Sequence, residues 1–219
     1  MRIALIHALK HSVAPIEAAF ARLWPEADLM NLLDDSLSRD VARDGHLTPT
    51  MTERFRNLTR YALGTGAQGI LFTCSAFGPC IEACQAEFPR VPILKPNEAM
   101  IEDVLRVSSE TGSGKVGLLA TFGPTLDSMP PEFAGIAPRL QLVARLIDGG
   151  MAALDAGDPD THDCLATHTA RELPEDCDVI ALAQFSLARA EFAIAQATGK
   201  KVLTTPGSAV LKLRRALVD

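Results

Sequence analysis

The stretch QGILFTCSAF, residues 68–77, carries an apolar run directly into Thr73 and Cys74, then into small residues ahead of Gly78 and Pro79. A short run without polar alternation fits a strand buried on both faces, as in a parallel sheet covered by helices. The Gly-Pro pair suits the first turn of a helix, where the missing proline N–H has no intrahelical partner to lose. Cys74 therefore falls at the carboxyl end of a predicted strand, just before a helix.

Working outward, RIALIH (2–7) and ADLMNLL (27–33) read as further strands, and APIEAAFARL (14–23) and TERFRNLTRYAL (52–63) as amphipathic helices. Strands alternating with helices predict βαβ units and a doubly wound α/β fold. Thr50 and Glu53 have the spacing of a capping box ahead of Phe55.

The opening motif also recurs. QGILFTCSAF (68–77) pairs with DVIALAQFSL (178–187) at an offset of 110, which sets Cys74 against Gln184. VPILKPNEAM (91–100) pairs with KVLTTPGSAV (201–210) at the same offset, and RIALIHA (2–8) pairs with KVGLLAT (115–121) at 113. Three strand-and-turn units in one order predict an internal duplication. The expected organisation is two similar open parallel-sheet lobes with an active-site cleft between them: residues 1–96, with 206–219 packing back on them, and residues 97–205.

Composition narrows the function. The 219 residues are 47% hydrophobic and carry a net charge of -6, with no cluster of Lys and Arg interleaved with aromatics, which excludes a nucleic-acid surface. No segment approaches the roughly 20 apolar residues that span a bilayer, and RIALIHALKH lacks a signal-peptide core and cleavage site, so a cytoplasmic protein without membrane contact is expected. Five scattered cysteines without a C-x-x-C pair predict neither a disulfide scaffold nor a metal site. GTGAQG (64–69) and GSGK (112–115) both lead into strands instead of opening helices, so neither reads as a phosphate loop, and no cofactor is expected. LDAGDPDTHD (154–163) reads as a solvated turn, and His46, His162 and His168 receive no role.

Open α/β sheets bind ligands beyond the carboxyl ends of their strands, where Cys74 is placed. A helix N-terminus close by would lower its thiol pKa and attract a carboxylate. Two readings stay open: a thiolate acting as base or nucleophile, or a small buried cysteine of the core. His7, ending the first strand, is either a proton-transfer aid or a satisfied structural group. Ser186 has no nucleophile elbow around it and is expected to serve only as a hydrogen-bonding group.

TCSAFG, GLLATFGPT, the duplicated halves and the length together resemble the aspartate/glutamate racemase superfamily, in particular its hydantoin-racemase and arylmalonate-decarboxylase branch. The resemblance implies a cofactor-independent isomerase acting on the carbon next to a small carboxylate. In racemases of that superfamily two cysteines, one from each half, exchange a proton on opposite faces of that carbon. Cys74 matches the first, but Gln184 stands at the second position, and an amide cannot carry a proton. The resemblance thus implies a one-cysteine site rather than a two-cysteine racemase. It further implies that Ser75 and Ala76 offer backbone donors to a carboxylate, joined by Thr121, Phe122 and Thr125, with Gln184, Phe185, Ser186 and His7 lining the site. Either threonine serves equally as an N-cap for the helix at Pro124. The alternatives are decarboxylation of a malonate-like diacid and a silent carboxylate-binding protein; homo-oligomerisation is compatible with all of them.

Overall fold

The computed structural model describes residues 1–112, 114–177 and 179–218. Ser113 of GSGK, Asp178 of DVIALAQFSL and Asp219 of the tail lie outside the described residues. The chain divides into two compact units, one made of Met1–Pro96 with the residues from Pro206 on, the other of Asn97–Thr205.

The first unit is a parallel sheet of β1 (Arg2–His7), β2 (Asp28–Leu33), β3 (Gly69–Phe72) and β4 (Ile93–Leu94), in the order β2-β1-β3-β4. β1 and β3 hold the centre and are buried almost throughout, which is why their sequences are continuously apolar. β2, at the edge, is only partly buried and alternates. Helices α1 (Val13–Leu23), α2 (Ser36–Asp44), α3 (Pro49–Gly64) and α4 (Gly78–Glu87) connect the strands. The C-terminal α10 (Thr205–Val218) packs on β3, where Gly69 leaves the room: a Cβ there would meet Leu217 at 2.7 Å and Leu213 at 3.3 Å.

The second unit repeats the plan with β5 (Lys115–Ala120), β6 (Gln141–Leu146), β7 (Val179–Leu182) and β8 (Lys201–Thr204) in the order β6-β5-β7-β8, all parallel. The registers correspond: Arg2 lies opposite Asp28 and His7 opposite Leu33, as Lys115 lies opposite Gln141 and Ala120 opposite Leu146. The sheet is covered on both faces. Val116, Leu118, Ala120, Val179, Ala181 and Ala183 pack with residues of α5 (Glu98–Thr111) and α6 (Gly123–Ile136). Leu119, Ile180 and Leu182 turn to the opposite side, toward α8 (Pro159–Arg171) and α9 (Glu191–Thr198). The short α7 (Gly150–Asp155) precedes α8.

Three local expectations need correction. The N-cap of α3 is Thr48, whose hydroxyl accepts from the Met51 N–H at 3.3 Å; with Pro49 in the first helical turn, Thr50 already lies inside the helix. LDAGDPDTHD is not one solvated turn, because Asp158 caps α8 through the Thr161 N–H at 3.0 Å and His162 is fully buried. Neither Thr121 nor Thr125 caps α6, whose N-cap is Phe122 with no side-chain bond.

Candidate active site

In each unit the chain runs from its first strand to a neighbour on one side and then crosses to the other side. The point where the order reverses lies between β1 and β3, and again between β5 and β7. Such points leave a crevice beyond the carboxyl ends of the strands. His7, Thr73 and Cys74 stand at the first; Thr121 and Gln184 stand at the second.

Cys74 follows β3 in extended conformation (φ -122°, ψ 120°) and precedes a short 3₁₀ turn, Ser75–Phe77, that leads into α4. Phe77 is fully buried, its ring 4.9 Å from that of Phe55 on α3, and Phe55 in turn stacks on Phe72 of β3 at 5.1 Å. This aromatic cluster anchors the turn from both ends. Ser75 and Ala76 are buried, while Cys74 as a residue is half-buried.

The thiol does not behave as its place before a helix suggested. Burial pushes it up to about 11, although the Ala76 N–H and, less strongly, the nearby Ser38 hydroxyl pull the other way; that hydroxyl donates its proton to the Ala8 carbonyl at 2.6 Å. The helix itself begins only at Gly78, so the 3₁₀ turn, and not the helix N-terminus, supplies the backbone donor. Desolvation of the thiolate outweighs these neutral donors. Cys74 therefore rests as a thiol. Burial likewise raises Cys80 and Cys84.

His7 is wholly buried, and its hydrogen bonds fix its state. Asn31 donates from Nδ2 to the Glu17 carboxylate at 2.7 Å, which turns its Oδ1 toward His7 Nε2 at 2.9 Å. Nε2 must then carry the proton, leaving Nδ1 to accept from the Thr73 hydroxyl at 2.8 Å. Burial lowers the imidazole pKa, with Asn31 and Glu17 opposing. Both ring nitrogens are committed. His7 reaches Cys74 only through Thr73, the residue before it.

In the second unit, Gln184 Oε1 accepts from the Thr121 N–H at 2.5 Å and from the Thr121 hydroxyl at 3.0 Å. Two donors on one oxygen fix the orientation of the amide and leave its NH₂ as the group this pair presents. Phe122 is half-buried, Thr125 is fully buried in the first turn of α6, and Phe185 belongs to the core. Ser186 is also buried, its Oγ without a hydrogen-bond partner among the described residues.

Thus Cys74 and Ala76 meet through the N–H directed at sulfur, His7 joins them through Thr73, and Thr121 meets Gln184. Sequence reasoning missed Ser38, Thr73, Asn31 and Glu17. Ser38 lies on α2, within DDSLSRD, where the apolar pair Leu37 and Val41 at helical spacing and the following Gly45 were the available signal. Among the described residues no group of His, Cys, Asp and Glu is arranged to hold a metal ion, and no helix is long and apolar enough to cross a membrane.

The sequence profile of the Asp/Glu/Hydantoin racemase family matches residues 18–213, and the chain belongs to that family. Its fold is similar to that of glutamate racemase from Francisella tularensis subsp. tularensis SCHU S4 in complex with D-glutamate, with a TM-score of 0.75 at 11% identity, covering 99% of this chain and 80% of that one. Allantoin racemase from Klebsiella pneumoniae is similar with a TM-score of 0.68 at 17% identity, covering 98% and 86%. A variant of arylmalonate decarboxylase in its liganded form, with one glycine changed to cysteine and one cysteine to serine, gives 0.63 at 18% identity, covering 99% and 92%. No curated protein matches the chain by sequence.

Proposed function

We propose that the protein is a cofactor-independent enzyme of the isomerase type that moves a proton at the carbon next to a small carboxylate, with Cys74 as its single acid–base group. The observation that carries this reading is the place of Cys74: a half-buried residue at the switch point of a racemase-family sheet, with the Ala76 N–H favouring its thiolate against the cost of burial. Such a donor lowers the cost of a thiolate when it forms, as the turnover of a carbon acid requires. The backbone of Ser75 and Ala76 is the proposed carboxylate contact. Gln184, held by Thr121, offers NH₂ donors and no titratable group, so it binds and does not transfer protons. His7 acts through Thr73 as a positioning residue.

A second reading, decarboxylation of a malonate-like diacid, is favoured by one observation: the thiol rests protonated. Once carbon dioxide has left, the carbanion needs an acid and no base, and Cys74 is already in that form. The two readings share the final step, proton delivery from sulfur to carbon.

The test is turnover of a panel of amino acids, hydantoins, hydroxy acids and arylmalonates, followed by proton NMR and chiral chromatography for the wild-type chain and Cys74→Ala. Loss of a detected reaction in the variant, with carboxylate binding retained, supports the assignment. Full activity of Cys74→Ala would overturn it, and binding without any reaction would return the protein to a carboxylate-binding role.

A further inference from the structure

Gly149 and Gly150 lead from β6 into the short α7. Gly149 lies in the left-handed region (φ 74°), which favours glycine, but the backbone of Gly150 does not. What position 150 requires is space. A Cβ there would meet Cγ2 of Thr121 at 2.7 Å, Cγ2 of Ile147 at 3.0 Å and Cβ of Thr121 at 3.5 Å.

The turn has no room to retreat. The Ile147 N–H donates to the Ala120 carbonyl at 2.8 Å and the Gly150 N–H to the Ile147 carbonyl at 3.2 Å, which ties the turn to the end of β5, one residue before Thr121. Ile147 itself is buried in the core of the second unit. Next to β5, the Ala183 N–H donates to the Leu119 carbonyl at 2.9 Å and brings Gln184 beside Thr121. Thr121 thus has its methyl against Gly150 and its hydroxyl on Gln184 Oε1 at 3.0 Å. Both groups hang on one Cβ, so they turn together about a single torsion.

We propose that Gly150 is a positioning residue for Gln184: by leaving room for the Thr121 methyl it aims the Thr121 hydroxyl at Oε1, and with the Thr121 N–H on the same oxygen the amide becomes a fixed hydrogen-bond donor. The group that Gln184 takes is therefore an acceptor, a carboxylate or carbonyl oxygen, and not an ammonium or amide N–H. An alanine side chain at position 150 displaces the methyl, and the hydroxyl leaves Oε1 with it. The Thr121 N–H alone then holds the amide. The inference rests on reading Gln184 as a substrate contact, yet its test reads the amide without a substrate.

The test is the pair of side-chain amide resonances of Gln184 in the proton–nitrogen correlation spectrum of the full-length chain, assigned by their loss in Gln184→Glu. Gly150→Ala is expected to shift both resonances and to raise the mobility of the amide in relaxation measurements. Thr121→Ser removes the methyl and keeps the hydroxyl, so it is expected to hold the wild-type positions alone and to restore them when combined with Gly150→Ala. Unmoved resonances in Gly150→Ala, or a shift that Thr121→Ser does not reverse, would overturn the proposal. If Gly150→Ala does not fold, recovery of a folded spectrum in the double variant supports the contact, and failure to recover overturns it. With a substrate in hand, Gly150→Ala should raise KM about fivefold, the loss of one hydrogen bond, at unchanged kcat, because Gln184 binds and moves no proton; a fall in kcat at unchanged KM would count against it. A shifted amide in a protein that turns over no carboxylate would leave Gly150 standing and remove the catalytic reading; turnover that depends on Cys74 with no amide effect would do the reverse.

Discussion

His7 ends β1, and its ring bonds the hydroxyl of Thr73, which stands between the neighbouring strand β3 and Cys74. A buried neutral imidazole has a thermodynamic consequence. The folded-state pKa of His7 lies below its ordinary 6.5, so the unfolded chain binds the proton more readily than the native one. Its contribution to stability is fully present above 6.5 and is lost as pH falls from there through the lowered folded value. The melting temperature of the wild-type chain should therefore drop on acidification below that point, and His7→Gln, which keeps polar atoms but cannot charge, should flatten the drop. Parallel melting curves for the two proteins would contradict the buried neutral assignment. The site was legible in part at this scale. The position of Cys74 just past its strand, and its equivalence to Gln184 in the repeat, were visible because both depend on spacing. The thiol's upward shift was not, because it depends on how closely the surrounding atoms exclude water, and a string of residue types does not encode that density. The partners of His7, Asn31 and Thr73, come from segments far from it in sequence and meet it only once the sheet has formed.

Among the elements, the turn carrying Cys74 depends on one aromatic contact set. Phe55 lies between Phe72 and Phe77, buried from solvent, and ties α3 to the strand before Cys74 and to the turn after it. Phe55→Ala should cost about 3–5 kcal/mol and shift the urea midpoint accordingly; a change within experimental error would show that the turn is held elsewhere. Strands β1, β3, β5 and β7 were readable as continuous apolar runs because each is buried on two faces. α2 was not, because its sequence is rich in Ser and Asp, residues that favour caps and turns over helix interiors. Arg54 overrides that preference by pairing with Asp34 and Asp40. Partial burial pushes Asp34 upward, but the Ser36 and Arg54 bonds hold its carboxyl below the usual range. A propensity argument does not contain such a tertiary pairing. The cap of α3 slipped for a smaller reason: Pro49 fixes the first turn and moves the capping role back to Thr48.

For the whole molecule, the repeat seen in the sequence reappears as the same strand order and the same register in two sheets. The C-terminal helix α10 belongs with the first sheet although it follows the second in the chain. Removing the residues from Pro206 on should therefore open the β1 and β3 face of the first unit. Hydrogen exchange should show lost protection in β1 and β3 and retained protection in β5 and β7. Equal loss in both sheets would show that the two units do not unfold separately. The same duplication leaves a chemical asymmetry at equivalent positions. Just past its central strand one half carries a thiol, the other an amide whose oxygen is already bound by Thr121.

That asymmetry is also the most direct test of the central claim, that a single thiol moves the proton. A substrate identified from the panel is turned over in deuterium oxide, and deuterium content and configuration at the α-carbon are read together by NMR and chiral chromatography. Whether the carbanion arises by loss of a proton or of carbon dioxide, one deuterium should arrive on one face: exchange with retained configuration in the first case, a single labelled enantiomer in the second, and neither with Cys74→Ala. Wild-type racemisation as fast as exchange, or label incorporation that survives Cys74→Ala, would contradict it.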